Sequence, residues 1–432
     1  MKRKMLGFLI VAVIFLASCG GSGSSGGTDT GSTATEPKIS SALKLATQTS
    51  PQASTSEATQ ALVGQATATG LQSMKYYITS ITICEKIDTS GSAYNNPTGC
   101  LELYKGNQSD SRYTYTLDQD FAPFGDVARG SDDGFVDLID DTSRATLKTD
   151  KTLTTADVRS YNYGYINWYL PVKLKAEVTM ADGTTYRTAD GTTATVDSNQ
   201  GPMTTATDDF SMISSAKEAV VVLGNGGSWF RFQNPFVITQ ADIDNNVQFA
   251  LDLTFNPEGL IKAYSPGLGG CGSCILKDTV GNQLLVPMIS LTPVPHKTSE
   301  SVTKETYMAT VSSGADNFDI RLEFYSVQGD LTKTIYGVDT ATLINSKTTT
   351  AVSPFSKVSF VKTGSDGNLE LQDYRGTTGP LLTKFQRQTE VGTSFTATLH
   401  CTDSSQGGFT FDGCSNTTQE VTFTLQSVEA LK

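Results

Sequence analysis

Apolar and polar residues alternate with a period of two along much of the chain. The alternation is regular from Tyr77 to Ile83 and recurs as far as Glu420 to Val428. Because successive side chains of a strand point to opposite faces of a sheet, this period indicates β-strands. Helical signals are few, and the best are single turns after Thr155 and Thr239, each with a hydroxyl N-cap and an acid in the first turn. The pattern therefore predicts an all-β fold.

Glycines and prolines divide this pattern into hairpins and two larger parts. Asp182-Gly183 falls between alternating stretches, where a tight hairpin turn needs residues that tolerate positive φ. Pro293 and Pro295 would interrupt strand pairing, and we place a domain boundary there. Short strands at this density are typical of β-sandwiches. The sequence predicts two such domains, over residues 71–292 and 293–432.

The segment before these domains has a different composition. From residue 19 to about residue 70 it is dominated by Gly, Ser, Thr, Ala and Gln, and residues 20–35 contain no apolar side chain other than Ala34. Such a segment cannot bury enough surface to offset the conformational entropy that its backbone loses on ordering. We therefore predict a flexible, disordered tether over residues 19–70.

The first nineteen residues have the layout of an export signal. Three basic residues at positions 2–4 precede an apolar run, Leu6 to Leu16, which is too short to span a bilayer as a helix. The run closes with Leu16-Ala17-Ser18-Cys19, which resembles the lipobox of bacterial lipoprotein signal peptides. This resemblance implies a signal peptide over residues 1–18, lipidation of the Cys19 sulfur and attachment to a membrane by acyl chains. The alternative is an ordinary secretory signal in which Cys19 occurs by chance.

The residue after Cys19 indicates which membrane holds the protein, and the net charge indicates which partners it does not bind. Gly20 follows Cys19, whereas an aspartate there is the familiar inner-membrane retention signal in some Gram-negative bacteria, so we expect the outer membrane. The formal net charge of −12 argues against nucleic acid as a partner and against electrostatic docking on anionic lipid. The chain has only two histidines, which disfavours chemistry built on paired imidazoles.

Six cysteines follow Cys19 and fall into local pairs. The pairs are Cys84 with Cys100, Cys271 with Cys274, and Cys401 with Cys414. Even numbers of closely spaced cysteines in an exported chain predict disulfides, and we expect these local pairings. Cys271-Gly272-Ser273-Cys274 also matches a thiol redox centre or half of a zinc site. The glycine-rich run ahead of it, and the lack of a second Cys-x-x-Cys, favour a structural loop disulfide.

Four segments in the first half carry a family resemblance. They are YYITSITICEK, FVDLID, YNYGYINWYLPVKLKAEV and PFVITQADIDNNVQFALDLTFNP, in that order. Together they resemble the bacterial lipoprotein domain of unknown function 4382, a transthyretin-like β-sandwich, over about Met74 to Pro257. The resemblance implies a β-sandwich and a location in the cell envelope. It implies no activity, because none is established for that family.

The segment from Asp126 to Asp141 is rich in aspartate. Asp132, Asp133 and Asp137 lie within it and are candidate ligands for calcium, which extracellular modules bind through loop carboxylates. The spacing is not that of an EF-hand, and solvated acidic loops are common, which favours such a loop over a calcium site. Asp242 and its neighbours form a poorer second candidate. Apart from calcium, no cofactor is expected.

Three tyrosines in one predicted strand are candidate ligand contacts. Tyr161, Tyr163 and Tyr165 would share one face, where exposed rings stack on sugars or anchor a protein partner. The alternative is a buried core position, because the other face of the strand, with Ile166 and Trp168, is apolar too. Because both faces are apolar, we expect the strand to be central and packed, which favours the core position.

The sequence contains no motif that assigns a reaction. It has no G-x-S-x-G elbow in the folded region, no H-E-x-x-H and no phosphate-binding glycine loop. We therefore expect a non-enzymatic structural, adhesive or binding module of the cell envelope that is anchored to the membrane by its lipid. Its binding partner would be an unidentified protein or glycan. The alternative is a secreted carbohydrate-binding or carbohydrate-active protein that uses the aromatic strand and two carboxylates.

Overall fold

β-Strands dominate the folded chain, and the all-β prediction is confirmed. The computed structural model describes residues 36–45, 63–65, 70–88, 95–107, 132–179, 183–189, 192–194, 210–211, 214–222, 227–255, 257, 261–264, 276–277, 283–285, 291–313, 316–327, 335–344, 358–363, 368–373, 380–400 and 418–431. The predicted signal peptide and Cys19 lie outside these residues. The predicted arrangement of the strands as sandwiches stays a prediction.

The strands form three sheets. The first strands are β1 (Lys38–Leu45), β2 (Val63–Gln65), β3 (Leu71–Asp88), β4 (Asn95–Lys105), β5 (Val136–Asp137) and β6 (Thr149–Thr152). The next are β7 (Arg159–Thr179), β8 (Thr185–Thr188), β9 (Thr192–Ala194), β10 (Phe210–Ser211), β11 (Ala219–Val222), β12 (Gly227–Ile238), β13 (Gln248–Phe255), β14 (Lys262–Tyr264), β15 (Leu276–Lys277), β16 (Gln283–Leu285) and β17 (Leu291–Lys297). The last are β18 (Val302–Ser313), β19 (Asp316–Val327), β20 (Ile335–Ile344), β21 (Val358–Thr363), β22 (Leu369–Asp373), β23 (Pro380–Phe385), β24 (Ser394–His400) and β25 (Thr418–Ala430).

Helical structure in the described residues is confined to short turns. The α-helices are α1 (Asp141–Ala145) and α2 (Gln240–Asp244), and Thr155–Asp157 forms a 3₁₀ turn. The turn after Thr239 forms as predicted, because the Thr239 hydroxyl accepts a hydrogen bond from the Asp242 N–H and caps α2. Neither α-helix has the length needed to cross a bilayer.

β1 corrects the prediction of a tether over residues 19–70. It lies inside a four-stranded sheet of order β17-β13-β1-β6, parallel to β13 and antiparallel to β6. Ile39, Ser41 and Leu43 are buried on one face of β1, so the segment has the alternation of a strand despite its polar surroundings. Lys44 of β1 also pairs with the buried carboxylate of Asp252 at 3.0 Å. The tether prediction is therefore wrong for Lys38–Leu45 and also for Val63–Gln65, which forms β2 and pairs with β14 and β7.

β7 is the central strand of a second sheet, which has thirteen strands. It pairs antiparallel with β2, β3, β8, β11 and β12, and these strands connect it to the rest of that sheet. Gly183, in the connection to β8, has a φ of 83°, as the predicted hairpin turn requires. One hydrophobic core joins this sheet to the sheet of β1, and the rings of Phe236 on β12 and Phe249 on β13 are 5.4 Å apart within it.

The predicted domain boundary at residues 292 and 293 falls inside β17. This strand pairs with β13 from Leu291 to Lys297 and forms an edge of its sheet. Pro293 and Pro295 are two residues apart, so their missing N–H groups lie on the same side of the strand, which an edge strand tolerates. The prolines therefore mark an edge, and residues 293–297 extend the first sheet instead of opening a second domain.

The third sheet, of eight strands, folds over its own core. Its order is β20-β19-β18-β25-β24-β23-β22-β21. Phe385 on β23 lies 4.9 Å from the ring of Tyr307 on β18 and 5.2 Å from that of Phe324 on β19. Two strands separate β23 from β18 in the sheet, so these contacts require the sheet to curl. This second core is separate from the one that contains β7.

A buried ion pair crosses the second core. The Arg387 guanidinium donates through Nη2 to Glu305 Oε1 and through Nε to Glu305 Oε2, and it also donates to the Ser326 hydroxyl at 2.6 Å. The Tyr307 hydroxyl donates to Glu305 Oε2 at 2.9 Å and accepts from the Gln388 N–H at 2.9 Å. Burial, and then the charge of Glu305, raise the pKa of Tyr307. The network fixes the segment after β23 against β18 and β19.

Candidate functional site

The three tyrosines do not share one face of β7. Tyr161 is fully buried, stacks on Phe236 at 6.1 Å and donates its hydroxyl hydrogen to the Asp157 carbonyl oxygen. Burial, and then the charge of Asp157, raise the pKa of Tyr161 to about 12. Tyr163 and Tyr165 are only half-buried and lie outside the core. The pairing of β7 with β12 shifts register between these tyrosines, so the prediction of a shared face is wrong.

Tyr163 and Tyr165 form an aromatic patch with β12. Tyr165 lies 4.6 Å from the ring of Trp229, and the Arg231 guanidinium lies over the ring of Tyr163 at 5.7 Å. Between them, Gly164 allows Phe230 to cross the strand, because a Cβ at Gly164 would be 2.2 Å from that ring. Gly164 thus leaves room for the buried Phe230 ring between the two half-buried tyrosines of the patch.

A ring of four charges lies on the same sheet, at the β3–β7 pairing. Lys75 and Lys173 occupy directly opposed positions, where like charges destabilise a sheet. Asp132 bridges them, with its carboxylate oxygens 2.7 Å from Lys75 Nζ and 2.5 Å from Lys173 Nζ. Glu218 closes the ring, at 2.7 Å from Lys75 and 3.8 Å from Lys173. The ring holds two loops, those of Asp132 and Glu218, against the sheet.

The pairing in this ring favours the ionised form of both Asp132 and Lys75. Burial alone would raise the pKa of Asp132, but hydrogen bonds from Lys173 and Lys75 outweigh it and lower that pKa below 3.8. Burial alone would lower the pKa of Lys75, but Asp132 and Glu218 outweigh it and raise that pKa above 10.5. The stabilisation from the lowered pKa of Asp132 is therefore present above the unfolded-state pKa and is lost as the pH falls through the folded-state pKa. The stabilisation from the raised pKa of Lys75 is present below pH 10.5 and is lost as the pH rises through the folded-state pKa.

Lys173 is the most enclosed member of the ring. Its side chain is 1% exposed, and its ammonium lies 4.6 Å from the centre of the Phe135 ring. A buried ammonium is costly unless it is paired, and the carboxylates and the aromatic face supply that pairing. The Asp132 side chain, in contrast, is 59% exposed. The ring therefore reaches from the sheet to solvent.

The aspartates predicted as calcium ligands have protein partners here. Asp137 accepts hydrogen bonds from the Ser73 hydroxyl at 2.6 Å and from the Met74 and Ile139 N–H groups at 3.0 Å. Asp132 belongs to the ion ring, and Asp133 also has a partner. Among the described residues no cluster of three acidic, histidine or cysteine side chains could hold a metal ion. Calcium binding by Asp132, Asp133 and Asp137 stays a prediction.

Asp242, in the poorer calcium candidate, serves the local fold. Its carboxylate accepts from the Thr239 N–H at 2.9 Å and from the Thr239 hydroxyl at 2.7 Å, which completes the capping box of α2. Lys297 Nζ lies 2.8 Å away. Burial alone would raise the pKa of Asp242, but the bonds to Lys297 and Thr239 outweigh it and lower that pKa.

Of the three predicted disulfides, the described residues include only the pair Cys84 and Cys100. Cys84 on β3 and Cys100 on β4 form the predicted disulfide between directly opposed residues. By chain entropy, a loop of this length contributes about 3 kcal/mol to stability. Cys271, Cys274, Cys401 and Cys414 lie outside the described residues, so their pairings stay predictions.

A groove of about 580 Å³ opens beside the ion ring. Its lining includes Lys75, Asp132 and Glu218 of the ring, together with Lys175, Lys217 and Asp137. No motif in the sequence marks the lysines of this site or Glu218. The alternation in β7 does predict that Lys173 and Lys175 lie on the same face of the strand, because they alternate with buried apolar residues. The two loops that complete the groove are distant in sequence, and no local pattern joins them.

Comparison with known proteins adds no assignment. No family model matches the chain, and neither a curated protein nor a solved structure does. The resemblance to domain 4382 stays a prediction from the sequence.

Proposed function

We propose that this protein is a lipid-anchored outer-membrane protein of the bacterial cell envelope. In this proposal its all-β part is a non-enzymatic binding or structural module. The anchor rests on the Leu16-Ala17-Ser18-Cys19 sequence, and the outer membrane on Gly20. The resemblance of the first half to an envelope lipoprotein domain points to the same location.

The observation that carries the non-enzymatic role is the ion ring at the groove. Acid–base catalysis by paired carboxylates needs one carboxyl group with a raised pKa, which can donate a proton near neutral pH. Among the described residues, two carboxyl groups have a clearly shifted pKa, and both shift downward: lysines and other donors hold Asp132 and Asp242 ionised. Such carboxylates position loops and contact ligands, which favours binding over turnover.

Palmitate labelling tests the anchor. We expect cells that express the full chain to incorporate radiolabelled palmitate into it, and the labelled protein to fractionate with the outer membrane. A Cys19→Ala variant should lose the label, because the acyl chains need that sulfur. Label that persists in Cys19→Ala would overturn the anchor.

Glycan binding is a second candidate function, and the aromatic patch favours it. Tyr163, Tyr165 and Trp229 lie together outside the core, where aromatic rings can stack on sugars. A glycan array with the full chain tests this candidate. We expect Tyr163→Ala to abolish a specific signal and Tyr161→Phe to preserve it, since Tyr161 is buried. An array without a specific signal would eliminate the candidate.

A further inference from the structure

The carboxylates around the groove are already engaged by the protein. Asp132 and Glu218 pair with Lys75 and Lys173, and Asp137 accepts three hydrogen bonds from neutral donors. These contacts leave the acids of the groove little capacity to attract a cation.

Two other lysines of the groove differ from Lys75 and Lys173 in their contacts with acidic residues. Among the residues that the structure describes, neither Lys175 nor Lys217 takes part in an ion pair, although both line the groove. Within the described part of the chain, their ammonium groups thus have no acidic partner that a ligand would have to displace.

The backbone holds these two lysines close together. Lys217 donates its N–H to the Thr188 carbonyl at 2.8 Å, and the Thr188 hydroxyl donates to the Lys217 carbonyl at 2.6 Å. The same hydroxyl accepts from the N–H of Ala176, the residue after Lys175, at 3.1 Å. Thr188 thus joins the loop of Lys217 to β7 at the position of Lys175. This placement does not depend on the charges of the two lysines.

The local charge balance is opposite to that of the whole chain. The chain has 44 acidic and 32 basic residues. In the ring and the groove, four lysines (Lys75, Lys173, Lys175 and Lys217) accompany three carboxylates (Asp132, Asp137 and Glu218). A small positive region in an acidic protein concentrates anions at that point and repels them elsewhere.

We propose that this groove binds a small anionic ligand, a carboxylated or phosphorylated sugar or a free anion of that kind, through Lys175 and Lys217. The volume of the groove falls in the range of small-molecule sites. Gln72, whose side-chain amide can act as a neutral donor, also lines the groove. The inference rests on the proposed binding function and names the ligand class of the module.

Isothermal titration of the full-length protein tests the assignment, with inorganic phosphate, glucuronate and neutral glucose as probes at constant ionic strength. We expect saturable binding of phosphate, of glucuronate or of both, and no binding of glucose. Lys175→Gln with Lys217→Gln should weaken that binding by about tenfold or more, because each removes a charge-assisted hydrogen bond. Lys151→Gln, an exposed lysine on β6, is the matched control and should leave it unchanged.

Each outcome decides the proposal. Binding of phosphate alone identifies a phosphorylated ligand, and binding of glucuronate alone a carboxylated one. No binding of either anion, or equal binding by the double variant, overturns the assignment. Lys217→Glu on its own provides a second variant at an exposed position and should abolish the binding. Failure here leaves the anchor intact, because palmitate labelling tests that separately.

Discussion

Replacement of Arg387 by methionine is expected to lower the free energy of unfolding by about 3–5 kcal/mol. The side chains of Arg387 and Glu305 are 4% and 6% exposed, so the change leaves a carboxylate uncompensated inside the second core. The Ser326 hydroxyl would lose a partner as well. Urea denaturation of the full chain, followed by circular dichroism, measures the loss.

Two further variants separate charge burial from loss of packing. Lys384→Met removes an ion pair to Glu420 in which both side chains are more than half exposed, and it should cost about 1 kcal/mol or less. Adding Glu305→Gln to Arg387→Met should recover part of the stability, because no buried charge is then left unpaired. If Arg387→Met costs no more than Lys384→Met, the network is not a stabilising element of the second core.

Replacement of Ile39 by alanine is expected to destabilise the chain by about 2–5 kcal/mol. Ile39 is fully buried in β1 and pairs in register with Phe249, so its truncation leaves a cavity between β1 and the second sheet. The same urea titration measures this change, with tryptophan fluorescence as a second probe, since Trp168 lies in the same core.

Lys38→Ala is the matched control for Ile39. It lies in the same strand with its side chain partly exposed and should change stability by roughly 0.5 kcal/mol or less. Equal, small effects of both substitutions would mean that residues 38–45 do not contribute to the core, as the prediction of a tether requires.

β1 also shows how composition can hide a strand. Ile39, Leu43 and Leu45 occupy one face with a period of two, as in Tyr77 to Ile83, but Ser41 interrupts the apolar series on that face. The surrounding Gly, Ser and Thr residues suggested disorder for the whole of 19–70. The partners of β1 are β13 and β6, more than 100 residues away, and burial by such distant strands is invisible to a local reading.

The site was less predictable than the fold. Period-two alternation predicted the long strands, but it assumes an unbroken register. The register shift beside Tyr163 placed Tyr161 in the core and the other two tyrosines outside it. Asp132 was recognised as one of a group of acids, yet its role depends on Lys75 and Lys173, which only the pairing of β3 with β7 brings together.

The pKa of Asp132 tests most directly whether the groove is a site of paired, ionised acids instead of a catalytic one. Carboxyl carbon NMR of aspartate-labelled protein measures it, with Asp132→Asn to assign the signal. We expect Asp132 to titrate below 3.8, and Lys75→Gln to shift the titration upward by removing one ammonium partner. A carboxyl group that instead titrates near neutral pH would be a competent proton donor, and it would contradict the proposal of a non-enzymatic module.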